Sequence, residues 1–253
     1  MFNKIRSLVW LRTNMLQTNK NLLIQILMPY VLCLCYKKFM NMDDQGSISI
    51  VFMCLAMSFS FSIGNMISNT ISEEKEKNNL KTLILSGVTG TEYIFATLFY
   101  PIVFGITSIV ILPILAGADL DQQYFSYIVI SILTAIAVVL INLLVGIFSE
   151  TQSKAQINSL PIMFITTLLP MFTTANETLA TINEYSFMGS YTGFFANLKS
   201  SPFGEKSFVI LVVWILVLFV ANMIVFKTNK SGLSFSKISK NSENRWVLKT
   251  NKS

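Results

Sequence analysis

Histidine does not occur anywhere in this sequence of 253 residues. Its absence removes the side chain that titrates nearest neutrality and the commonest metal ligand. Cysteine is scarce too: the three present, Cys33, Cys35 and Cys54, all sit in apolar stretches. Three thiols with no further ligand nearby do not make a zinc site, and the setting is that of small buried hydrophobes. Charge is the third scarcity, at 13% of residues, where ordinary globular proteins carry about a quarter. The remainder is apolar. Hydrophobic residues make up 53% of the chain and mean hydropathy is +0.59, which belongs to the membrane class.

A lysine, arginine or aspartate at mid-membrane costs about 2.5–3.5 kcal/mol, so charge-free runs mark spans. Such runs cover 21–36, 45–72, 93–118, 122–149, 155–176 and 207–226. All but the first reach the roughly 20 residues that cross hydrocarbon at about 1.5 Å per residue. Lys37 and Lys38 extend the first by snorkelling. Tyr36-Lys37-Lys38 follows that first run, in place of a small-residue cleavage pattern. The expectation is an all-α membrane protein with six spans over 21–227. Without histidine, intramembrane carboxylate or paired cysteine, an intramembrane enzyme lacks its nucleophile, base or metal ligands.

Six spans place both ends of the chain on one side. Of the 19 lysines and arginines, all but Lys37, Lys38, Lys199 and Lys206 fall on that side. The positive-inside rule makes it the cytoplasm, and the net charge of +6 then meets anionic lipid rather than nucleic acid. Residues 1–20 read as an interfacial helix, with Phe2, Ile5, Leu8, Val9 and Leu16 on one face and Arg6, Arg12 and Lys20 among the polar residues. The segment 228–253 reads as a flexible basic tail.

Charge returns in "SEEKEKNNLKTLILSG", Ser72 to Gly87. Glu73 and Lys77 form a favourable i,i+4 pair. Leu80, Leu83 and Ile84 then share a helical face opposite Asn79, Lys81 and Thr82, until Ser86-Gly87 halts the helix. A helix this short needs something to pack against. From Glu74 to Pro101 the sequence resembles the first cytoplasmic loop of ABC-2 type permeases, the membrane subunits of ATP-binding-cassette transporters. Glu74-Lys75-Glu76 supplies the charged opening, Leu80 and Leu83 the leucine spacing, Ser86-Gly87 the break and Glu92 the start of the next span. Asn78-Asn79 stands where Gly-Thr is common, and Ala96-Thr97 where Gly-Lys is often found.

The resemblance implies that a coupling loop, 72–92, meets a separate ATPase through Glu74, Glu76, Leu80, Leu83, Ile84 and Glu92. ATP and magnesium belong to that partner; the chain itself contains no phosphate loop, since "FGEKS" at 203–207 lacks the glycine spacing. It further implies a homo- or heterodimeric permease in a bacterial plasma membrane. Its cargo is an amphipathic peptide or hydrophobic compound, as in small exporters of bacteriocins and phenol-soluble modulins. The other reading is a non-transporting immunity or sensor protein that sequesters such a peptide, which has no use for the leucine face.

Ser58, Ser62, Asn65 and Asn69 form one polar stripe in the second span: a wall of the translocation path, or polar glue between helices. Asn142, Thr166 and Thr167 are weaker members of the same class. Between spans five and six, 177–206 holds an uncharged segment, Tyr185–Leu198, too short to cross and therefore re-entrant or interfacial on the outer side. Its Gly189 and Gly193 permit close helix approach.

Overall fold

The computed structural model describes residues 2–40, 44–120, 123–173, 175–198 and 202–229, and every regular element among them is helical. Nearly all of the tail 228–253 lies outside the described residues. Helix α1 (Phe2–Thr18) precedes span one, α2 (Lys20–Met40). Span two comprises α3 (Asp44–Ser58), a π-helical stretch at Phe59–Asn65, and α4 (Met66–Glu76). A short α5 (Asn79–Leu85) leads to span three, α6 (Gly90–Ala116), and then span four, α7 (Tyr124–Phe148). Span five is α8 (Gln152–Met163), a second π-helical stretch at Phe164–Leu168, and α9 (Leu169–Phe172). Two short helices, α10 (Glu177–Glu184) and α11 (Gly189–Ala196), come before span six, α12 (Lys206–Asn229). Six of these units are long and apolar enough to cross a membrane, as the charge-free runs predict.

Span two is the axis of the bundle. Val51, Cys54, Leu55, Phe59 and Ile67 are fully buried, and the span packs against α2, α6, α7 and α8. Close approach comes from small residues: a Cβ on Gly64 would stand 2.6 Å from Asn142 Nδ2, and one on Gly146 3.1 Å from Ile71. Span six, by contrast, is the least buried and presents Val213, Leu216, Val217 and Val220 outward.

Span two also runs further than its charge-free stretch. Its 31 residues from Gly46 to Glu76 measure about 46 Å at 1.5 Å per residue, against about 30 Å of hydrocarbon. The charged residues 73–76 are therefore the last turn of a helix that outreaches the apolar layer, not a free loop. Asn78 follows with φ 56°, a left-handed conformation that asparagine tolerates better than any residue but glycine. That accounts for asparagine standing where glycine is common. Gly87, at φ 80°, ends α5 in the same way, with Val88 N–H donating to the Leu83 carbonyl at 3.2 Å.

One expectation needs correcting, the surroundings of Arg12. Arg12 was placed on the polar face of α1, yet it is buried in line with Leu8 and Leu16, one turn apart each way. The reason is a partner outside the helix, described below. The outer segment 177–206 holds a hairpin of two short helices, α10 and α11. Gly189 makes the hairpin possible, because a Cβ there would lie 2.4 Å from the Glu184 carbonyl oxygen and 2.8 Å from that of Asn183. Helix α11 reaches into the bundle, where the Tyr191 hydroxyl donates to the Phe52 carbonyl at 2.7 Å. Gly193 faces the start of span six, with Glu205 Oε2 3.3 Å from its would-be Cβ.

Candidate coupling site

Four consecutive charged residues end span two, and each of them ties it to something different. Glu73 accepts from Lys77 Nζ at 2.5 Å, the pair expected from its spacing. This hydrogen bond and charge hold the Lys77 ammonium above its ordinary pKa. Glu74 is wholly buried and takes both arms of the Arg12 guanidinium, from Nη1 and, at 2.9 Å, from Nη2. Lys75 donates to the carbonyls of Gly146, Ile147 and Ser149, the unpaired acceptors at the C-terminal end of span four. Glu76 Oε2 accepts from the Gln152 N–H at 2.8 Å, at the first turn of span five.

The Arg12–Glu74 pair has a shell of its own. The Tyr93 hydroxyl donates to Glu74 Oε2 at 2.6 Å, and Arg12 Nη2 also donates to Thr97 Oγ1 at 3.0 Å. Arg12 lies 5.6 Å from the centre of the Tyr93 ring, within range of cation–π attraction. One turn on, Thr13 and Tyr100 share a hydroxyl hydrogen bond at 2.6 Å. Burial opposes the charge on Arg12, but the Glu74 carboxylate outweighs it and holds the guanidinium above its ordinary pKa. Arg12 Nε has no hydrogen-bond partner among the described residues, and Arg12 lines a cavity of about 10 Å³ with Met66, Thr70 and Tyr100, room for about one water molecule. Sequence reading missed Arg12. The signal for it was the 8–12–16 line on α1, overridden by the assumption that an arginine belongs with the polar residues.

Helix α5 rests on this anchored end. Leu80 turns inward at 8% exposure, Leu83 is half-buried, and Leu85 is exposed along with Thr82 and Ser86. The Ile84 backbone belongs to α5; its side chain lies outside the described residues. Glu92 is buried and closes a capping box on span three, accepting from the Thr89 N–H at 2.9 Å while Thr89 Oγ1 accepts from the Glu92 N–H. Of the residues expected to meet a partner, Glu74, Leu80 and Glu92 thus face the chain itself, and Glu76, exposed as it is, is bonded to span five.

The polar stripe is likewise turned inward, with all four residues at 7% exposure or less. Ser58 donates to Ser108 of span three at 2.5 Å, and Ser108 is also bonded to Tyr30 of span one. Asn65 donates to Gln25 of span one and accepts from Asn69, both at 3.4 Å, while Ser62 is buried without a hydrogen-bond partner among the described residues. Nearby, Ser68 of span two meets Ser159 of span five at 3.1 Å. Asn142 donates to the Val138 carbonyl and Thr166 to that of Ile162, both within their own helices. Ser58 and Asn65 thus bond across to neighbouring helices, as polar glue between helices does.

The arm helix α1 is thus clamped to the charged end of a long span, the short α5 is carried on that end, and the hairpin of α10 and α11 precedes span six. No curated protein and no solved structure matches the chain. A family described as ABC-2 family transporter protein does match it, over residues 9–228. The chain therefore belongs to the ABC-2 family and is the multi-pass permease component of a transporter.

Proposed function

We propose that this permease is driven by a separate ATP-hydrolysing subunit seated on α5, and that two permease units together export an amphipathic peptide or a hydrophobic compound. One observation carries the reading. The helix that would receive the partner is mounted on residues gripping α1 and spans three, four and five at once, while Leu85 stands 58% exposed on its outer side. A displacement of α5 is then delivered to most of the bundle, not to one helix. Glu74, Glu76 and Glu92 serve as the mount, and Leu83, Ile84 and Leu85 as the contact. The distribution of lysine and arginine assigns this side to the cytoplasm, where nucleotide and magnesium are available to the partner. Spans without a fixed charge near their middles suit apolar or amphipathic cargo better than an ion.

The test is Leu85→Asp in the full-length permease. Fully burying a leucine is worth about 1.5–3 kcal/mol, so affinity for the ATPase should fall roughly 10–100-fold while insertion and thermal stability stay unchanged. The measurement is co-purification with the ATPase, and titration of its stimulated ATP hydrolysis in vesicles. Unaltered binding and stimulation by the variant would refute the assignment of α5.

A further inference from the structure

The guanidinium of Arg12 has one donor more than the clamp uses. Arginine presents five N–H groups in a fixed plane. Four of them meet acceptors: Nη1 donates to Glu74 Oε1 and to Met15 Sδ, and Nη2 to Glu74 Oε2 and Thr97 Oγ1. The fifth, on Nε, has no hydrogen-bond partner among the described residues, although Arg12 is only 4% exposed. Leaving a buried donor of a charged group unmade is costly, so Nε calls for an acceptor. Arg12 shares its cavity with Thr70 of span two and Tyr100 of span three, and Leu16, Leu22 and Met66 add apolar walls. Counting hydroxyl hydrogens shows what Tyr100 can offer. Thr13 has one, and it goes to the Val9 carbonyl at 3.0 Å. In the 2.6 Å contact between Thr13 and Tyr100 the tyrosine is therefore the donor, and its oxygen is left able to accept. Thr70 brings a second hydroxyl to the same space.

We infer that this cavity is a binding site for a single structural water, which accepts from Arg12 Nε and donates to the Tyr100 and Thr70 hydroxyls. A cavity of about 10 Å³ has the room one water needs, and about three polar partners are usual for a buried one. The Glu74 carboxylate already balances the guanidinium charge, so a neutral ligand fits where an anion does not. Bound there, the water joins α1 to spans two and three at once. It stands beside the direct Arg12–Glu74 and Thr13–Tyr100 contacts as a third fastening of the arm to the bundle. It also fills the last donor of the guanidinium, which fixes the plane in which both arms reach Glu74.

The experiment uses the full-length permease in lipid bilayers, labelled with ¹⁵N-arginine. Arg6→Lys with Arg245→Lys leaves Arg12 as the sole arginine, so its Nε–H signal in solid-state NMR needs no further assignment. That proton should receive magnetisation from water through space, and should exchange with deuterium slowly. Two substitutions at Thr70 then separate a wet site from a dry one. Thr70→Ser keeps the hydroxyl, and both the transfer and the thermal midpoint should stay close to those of the parent. Thr70→Val keeps the shape but puts a methyl group in place of the hydroxyl. It should weaken the transfer and lower the midpoint, because the water loses a partner. A dry apolar gap gives the opposite sign, since valine then removes an unpaired hydroxyl. No transfer from water to Nε–H, or a midpoint that holds or rises in Thr70→Val, would overturn the proposal.

Discussion

Glu74 leaves water entirely, and so, nearly, does Arg12. Desolvating two charges is expensive, and their attraction repays it only when geometry is good and the remaining donors and acceptors are filled. Here the contact is two-pronged, Tyr93 and Thr97 complete the shell, and both partners are held by helices that pack independently. Removing one charge therefore does more harm than removing both. Arg12→Met or Glu74→Leu alone should lower stability by about 3–5 kcal/mol, as for other buried pairs broken on one side. The double variant should recover most of that loss. Thermal denaturation of the four proteins in detergent, read as a double-mutant cycle, checks it; additive losses would mean that the two side chains act independently. This pair was illegible in the sequence because its members stand 62 positions apart. Periodicity can place Arg12 on the line of Leu8 and Leu16, but cannot say what waits there.

Helices with strong apolar runs were readable individually, whereas their ends and joints were not. All six spans appear where charge is missing, because lipid enforces that pattern. The end of span two was not visible in the same way, since residues 73–76 are charged and yet helical, each satisfied by another part of the chain. The π-helical stretches at Phe59–Asn65 and Phe164–Leu168 carry no distinctive composition at all. The outer hairpin depended on a single glycine whose neighbours are carbonyl oxygens. Gly189→Ala should accordingly cost about 1–3 kcal/mol, the usual range for forcing atoms into packed space, and should loosen α10 from α11. Gly90→Ala is the matched control: nothing lies within 4 Å of its would-be Cβ, so the added methyl group should leave stability unchanged or slightly raised. Limited proteolysis at the hairpin, together with thermal midpoints, separates the two. Equal behaviour would show that α10 and α11 adapt to the added methyl group.

At the scale of the whole molecule, two sets of charged and bonded residues stand out at the ends of the bundle. One holds α1, the end of span two, α5 and the junction of spans four and five, tied by Arg12–Glu74, Lys75 and Glu76. The other holds the hairpin, where Lys206 lies 4.2 Å from the centre of the Tyr185 ring and 3.5 Å from Glu184, with Trp214 donating to the Tyr185 carbonyl at 2.9 Å. The first set is the basic one, so membrane insertion should retain it in the cytoplasm. Two labelling positions decide the matter in a background lacking Cys33, Cys35 and Cys54. Thr82→Cys lies on the exposed side of α5, and Glu177→Cys on the exposed start of α10. A membrane-impermeant maleimide should label Glu177→Cys in right-side-out vesicles and Thr82→Cys only after inversion. The opposite pattern would place α5 beyond the reach of any nucleotide-driven partner. It would also mean that the basic residues flanking the spans do not set the orientation, so the argument from charge and the argument from coupling would fail together.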